Sequence, residues 1–200
     1  MKKGKDCWNA FASVFFPNKK GYVTIYGEAG SGKTTFCLTF IKNLFNKAIY
    51  INTEGSVNKG RLLQILGENF DIMFIDVFSE WELLQAVLRS LYKDVLIVVD
   101  SINYLYRLSF SQNEDISSKL FMLINSLLKE NSKLSPVLST AQVYLEGDIP
   151  SGYNILSHYS TLLRLSKGSS RSEGEVLLDD IIVGRYTIKN EGFEWIYCEY

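Results

Sequence analysis

Residues Tyr26–Thr35 read YGEAGSGKTT. A short β-rich run, YVTIY at Tyr22–Tyr26, leads into them. Behind them, Thr34–Asn46 carries Phe36, Leu38, Phe40, Ile41, Leu44 and Phe45 at helical spacing. Glycine is conformationally loose, so Gly27, Gly30 and Gly32 in one strand-to-helix turn cost stability unless that turn holds something. Gly27–Thr34 fits the pattern G-x-x-x-x-G-K-[ST]. In that pattern backbone N–H groups converge on phosphate oxygens, and the helix that follows adds its positive N-terminal end. The lysine, here Lys33, reaches the β- and γ-phosphates, and the hydroxyl of Thr34 ligates Mg²⁺. The expected nucleotide-binding residues are Gly27, Glu28, Ala29, Gly30, Ser31, Gly32, Lys33, Thr34 and Thr35. An unliganded glycine-rich turn is the alternative, but a chance match in a chain of this length is on the order of one per cent.

Outward from this turn, strand and helix signals alternate. Strands are predicted at Ala48–Ile51, Ile72–Ile75, Asp94–Val99 and Pro136–Thr140. Helices are predicted at Gly60–Phe70, Glu80–Tyr92 and Ile116–Glu130. The run DVLIVV at Asp94–Val99 is continuously apolar, as in a parallel strand buried on both faces. Beyond about Ser160 helical spacing ends. Strands are expected at Thr161–Leu165, Glu175–Val183, Arg185–Lys189 and Phe193–Glu199, with a hairpin turn at Asn190-Glu191-Gly192. The expected fold is α/β, a mainly parallel sheet flanked by helices with antiparallel strands at its C-terminal end. No linker divides the chain, so one domain over residues 1–200 is expected, with 1–20 as a lead-in.

Composition narrows the function classes. The 200 residues suit one domain, and 46% apolar with 22% charged content argues against disorder. No apolar run approaches the roughly 18–20 residues that span a bilayer, so no membrane association is expected. Met1-Lys2-Lys3-Gly4-Lys5 is basic but lacks a secretory pattern, and a cytoplasmic location is expected. Cys7, Cys37 and Cys198 are odd in number and far apart, which suggests a reducing compartment rather than a disulfide framework. His158 is the single histidine, and no Cys/His cluster has metal-ligand spacing. With a net charge of −1, nucleic-acid binding would need a local patch.

Acids at the carboxyl edge of the predicted sheet complete the candidate site. Asp100 ends the run Leu96–Val99, where a carboxylate emerges beside bound ligands and can serve the metal. Glu54, just past the second strand in YINTEG, can accept the proton of an attacking water. On spacing alone it reads equally as a solvated loop acid. Gln142 follows the fifth strand at the same edge, within reach of a γ-phosphate.

The runs IYGEAGSGKTTFCL, YINTEG with GRLLQI, VVDSINYLYRL and STAQVY come in the order and spacing of one family. Together they resemble a RecA-family ATPase, most of all the archaeal RadB-like recombinase paralogs, over roughly Gly21–Tyr144 and more weakly from Ser151 onward. The resemblance implies a RecA core using ATP and Mg²⁺, with Glu54 as hydrolytic base, Asp100 as metal-side acid and Gln142 coupling γ-phosphate to DNA. It implies Arg61 against the adenine, and two loops, near 107–115 and 144–158, facing single-stranded DNA. The activity implied is slow, DNA-responsive ATP hydrolysis that assists a recombinase or another repair protein.

Several positions depart from the family pattern. Asn52 stands where Asp is usual and Ala141 where Asn is usual, which is expected to loosen the polar network. Cys7–Gly21 lacks the usual glycine-rich lead-in and instead offers Trp8, Phe11, Phe15 and Phe16, expected to pack on the core rather than on a partner. The second loop holds Glu146 and Asp148 and no Lys or Arg, so weak DNA binding is expected. Tyr144 and Tyr153 are the residues there able to stack on bases. Asp179 and Asp180 stand where the family places basic residues, with Arg185 or Arg171 as substitutes. An ATP-gated scaffold for a recombinase or nuclease is therefore the second reading, and a KaiC-like signalling ATPase the third.

Overall fold

A computed structural model describes residues 2–55, 59–68, 70–111, 113–144, 148–168, 170 and 172–200. The chain opens with helix α1 (Lys5–Phe15), then β1 (Gly21–Gly27), α2 (Lys33–Leu44), β2 (Lys47–Asn52) and α3 (Lys59–Leu66). It continues through β3 (Asp71–Asp76), α4 (Glu80–Ser90), β4 (Leu96–Asp100), α5 (Tyr104–Phe110), α6 (Glu114–Asn131) and β5 (Pro136–Gln142). Helix α7 (Tyr153–Tyr159) and strands β6 (Thr161–Lys167), β7 (Glu173–Leu178), β8 (Ile181–Lys189) and β9 (Gly192–Cys198) follow.

The described strands form one sheet in the order β3-β2-β4-β5-β1-β6-β7-β8-β9. Strands β1 to β6 run parallel, and β7, β8 and β9 turn back antiparallel. Alternate residues of the parallel strands feed opposite layers, as strand geometry requires. Val23, Ile25, Tyr50 and Val98 pack under α1 and α2 with Trp8, Phe11, Phe36 and Phe40. Tyr22, Ile49, Ile51, Ile97 and Val99 face the layer of α4, α6 and α7 with Leu83, Val87, Phe121 and Leu156. Register then aligns the strand ends: Gly27 lies opposite Gln142, and Asn52 opposite both Asp76 and Asp100. The expected α/β architecture is the one observed.

Five expectations need correction. The run predicted as the strand Glu175–Val183 is broken by a turn at Asp179 and Asp180, both left-handed with φ of 49° and 63°. Aspartate tolerates that conformation, but apolar pairs on either side hide the turn from a periodicity reading. Helix α3 stops at Leu66 rather than Phe70, because Gly67 at φ 79° terminates it. The first loop expected to face DNA is largely helical: 107–110 belong to α5 and 114–115 to α6, while Gln112 lies outside the described residues. Part of the second is helix as well, since Tyr153–His158 lie in α7, whereas Leu145, Glu146 and Gly147 are outside the described residues.

The fifth concerns the cysteines. Cys7 and Cys198 form a disulfide with Cα atoms 5.7 Å apart, and buried Cys37 is free. Distance along the chain misleads here, because α1 folds back onto β9: the Trp8 and Trp195 rings lie 5.7 Å apart and Lys2 pairs with Cys198. The aromatic lead-in packs inward as expected, with Trp8, Phe11, Phe15 and Phe16 all buried.

Candidate active site

The turn between β1 and α2 is built by close approach. A Cβ on Gly27 would lie 2.3 Å from the Leu165 carbonyl oxygen, and one on Gly32, at φ 94°, 2.7 Å from Ile188 Cδ1. Only glycine lets the loop pass this close to β6 and β8. Strand β8 also braces it directly, since the Tyr186 hydroxyl donates to the Ser31 carbonyl at 2.7 Å. Ser31 is buried, and its Oγ has no hydrogen-bond partner among the described residues. A buried hydroxyl with bonding capacity to spare in this turn suits a phosphate oxygen.

Lys33 Nζ closes the loop on itself, donating to the carbonyls of Gly27 and Glu28 at 2.8 Å each. Burial pulls its pKa below the ordinary lysine value, opposed by the negative charges of Asp100 and Glu54. The negative charges of both acids thus act on one ammonium.

Asp100 makes three side-chain hydrogen bonds. Oδ2 accepts from Thr34 Oγ1 at 2.7 Å and from the Tyr50 hydroxyl at 2.5 Å, and Oδ1 accepts from Thr140 Oγ1. Thr34 and Asp100 thus set a hydroxyl and a carboxylate oxygen side by side at the start of α2, a hard-oxygen pair suited to Mg²⁺. Burial pushes the Tyr50 phenol well above its usual pKa and the Asp100 charge adds to this, so Tyr50 remains a donor. Tyr50, Thr140 and Tyr186, which bond to candidate site residues, were missed by sequence reasoning. Nothing local marks them, because each acts on a residue of another strand or loop.

Glu54 is exposed at the same edge. Its backbone N–H donates to Asn52 Oδ1 at 3.4 Å, and Asn52 Nδ2 donates to Asp76 Oδ1 at 2.7 Å. Asn52 is thus bonded through both its amide nitrogen and its amide oxygen despite the departure from the family pattern. On the β5 side Asn103 closes the network: Oδ1 accepts from Gln142 N, and Nδ2 donates to the carbonyls of Gln142 and Ser151.

The Gln142 amide oxygen accepts from Arg107 Nη1 at 2.7 Å, and the Arg107 guanidinium lies 5.8 Å from the Tyr144 ring centre. Gln142 is thereby linked to α5. Arg61 lies at the β8–β9 turn, donating to the carbonyls of Lys189 and Asn190. Arg185 pairs with Glu175, Asp148 pairs with Arg164, and Arg171 lies outside the described residues. Tyr144, Tyr153 and His158 are exposed.

Comparison with known proteins fits this geometry. Residues 19–120 match the family described as AAA domain. The chain is 32% identical over 169 residues to the DNA repair and recombination protein RadB of Methanocaldococcus jannaschii, covering 74% of this chain and 80% of that protein. It is 34% identical over 185 residues to the protein of the same description from Methanococcoides burtonii, covering 78% and 80%. Among solved structures, a crystal structure of the RadB recombinase superposes with a TM-score of 0.67 at 20% identity, covering 86% of this chain and 89% of that one. With the P-loop, the Asp100 cluster and the strand order all in place, the chain belongs to the RadB-like branch of the RecA-family ATPases.

Proposed function

We propose that this protein binds ATP with Mg²⁺ and hydrolyses the nucleotide slowly, assisting homologous recombination or DNA repair beside a full recombinase. The observation that carries the reading is the convergence of Lys33, Thr34, Asp100 and Glu54 on one sheet edge. The loop amides of Gly27–Thr35 and Lys33 bind the phosphates. Thr34 and Asp100 hold Mg²⁺, which when bound neutralises charge on the transferring phosphoryl group. Tyr50 and Thr140 fix the Asp100 carboxylate, and Glu54 takes a proton from the attacking water. Arg61, steadied by the Lys189 and Asn190 carbonyls, presents its guanidinium face to the adenine.

Glu54→Gln keeps the shape and loses the base. ATP affinity is expected to hold while turnover falls by about 10²–10⁴-fold. Steady-state hydrolysis at low salt, with and without single-stranded DNA, checks both points, and a variant that turns over at the wild-type rate removes Glu54 from the mechanism. Tyr186→Phe deletes one buried hydrogen bond under the loop. Its expected cost is about 1 kcal/mol of stability together with severalfold weaker ATP binding, and an unchanged Kd in calorimetric titration would count against the brace.

A second reading, an ATP-gated scaffold with little DNA binding, is supported by the exposed Asp148, which occupies Arg164. The hydrolysis experiment separates the two. Stimulation by DNA favours the first, through the Gln142–Arg107 link, and indifference to DNA favours the second.

A further inference from the structure

Apart from the nucleotide site, one buried acid has a carboxylate oxygen without a described partner. Glu80, the first residue of α4, is 7% exposed. Its Oε2 accepts from the hydroxyls of Ser109 and Ser117, while Oε1 is buried with no partner among the described residues. A carboxylate has room for about four donors, and leaving one oxygen dry and unbonded costs free energy unless something else supplies a donor.

Glu80 lines a groove of about 340 Å³ between the starts of α4 and α6 and the outer face of α5. Buried Leu105, Ser117 and Leu120 form its floor. Its rim is apolar and open, with Phe78 70%, Trp81 59%, Leu108 55% and Ile116 48% exposed. Four large apolar side chains around one carboxylate are not a solvated face. No lysine or arginine lines the groove among the described residues. The nearby charges are acidic, Glu82 at α4 and Glu114 at α6, and Asp115 is already paired with Lys119. Arg107, next to Leu108, is engaged by Gln142 and Tyr144.

We propose that this groove docks a segment of a partner protein through an arginine, whose guanidinium donates to Glu80 Oε1 while its flanking aliphatic side chains cover Phe78, Leu108 and Ile116. Arginine suits the site better than lysine because its planar group also stacks on an aromatic face, and Trp81 supplies one. The acidic surroundings disfavour nucleic acid as the occupant. The groove adjoins α5, which carries Arg107, so an occupant sits next to the residue that holds Gln142. The proposal stands independently of the ATPase reading.

The test uses the peptide acetyl-Leu-Arg-Leu-amide and its citrulline counterpart, which has the same shape without the charge. Trp81 is the built-in reporter, since Trp8 and Trp195 are buried. The arginine peptide is expected to give a saturable emission change and to shift the Leu108 and Ile116 methyl resonances, with the citrulline peptide about tenfold weaker. Glu80→Gln, which still accepts from both serines, should lose the same factor and keep its ATP affinity. Trp81→Ser, on the exposed rim, should weaken binding by the methyl readout without changing the melting temperature, and it carries the test should Glu80→Gln fail to fold. No saturation at millimolar peptide, equal binding of the citrulline form, or the same methyl shifts produced by a single-stranded oligonucleotide instead of the peptide would overturn the assignment.

Discussion

Lys33→Ala is expected to reduce ATP binding by about 10- to 100-fold or more, the value of one or two charge-assisted hydrogen bonds. The loss has two sources. The ammonium that would meet the phosphates disappears, and the carbonyls of Gly27 and Glu28 lose the donor that holds the loop closed. Lys33 lies at the first turn of α2, above a core made by Phe36 and Phe40, so the fold itself does not depend on the amine. The melting temperature without nucleotide should fall by a few degrees, because two loop carbonyls lose their donor, whereas the rise in melting temperature on adding ATP and Mg²⁺ should vanish. A variant still stabilised by ATP would remove the P-loop lysine from the binding site.

The second large effect is structural. The Cys7–Cys198 disulfide closes a sequence separation of 191 residues. Cross-linking so long a loop restricts the unfolded chain strongly, and losing it is expected to cost about 2–5 kcal/mol. For a domain of this size that corresponds to roughly 5–20 °C in melting temperature. Cys198→Ser should show the drop under all conditions. The wild type should show it only in a dithiol reductant, which takes up the disulfide's two electron equivalents by becoming a disulfide itself. A wild-type melting temperature indifferent to reductant would mean that the cross-link contributes nothing measurable. Trp8, Phe11 and Trp195 still pack together without it, so α1 should stay docked at room temperature.

Where the sequence was readable, the information was local. The glycines, Lys33 and Thr34 declare their chemistry within eight residues, and the apolar run ending at Asp100 places a carboxylate at a strand terminus. The register supports that placement, since Asn52 pairs with Asp100 and Gly27 with Gln142. What stayed hidden depends on which strands become neighbours. Tyr50 and Thr140 bond Asp100 only because β2 and β5 flank β4, and Tyr186 reaches Ser31 across the antiparallel end of the sheet. The Asp179–Asp180 turn was masked by its apolar flanks, and the seven-residue α7 is too short to show a helical period. The disulfide belongs to the same class, a product of how α1 and β9 pack rather than of cysteine spacing.

The central position of β1 has a consequence for how the protein is made. Its two neighbours are β5, with Gly21 opposite Pro136, and β6, with Val23 opposite Thr161. The glycine-rich turn after β1 leaves the ribosome early, yet the strands that frame it emerge only after more than a hundred further residues. Until then the segment has no sheet to join, so during synthesis nucleotide has no assembled pocket to stabilise. Such long-range pairing slows folding and leaves apolar strands uncovered in the meantime. The proposed ATP site is thus among the last parts of the nascent chain to mature, although its signature is among the first to be translated.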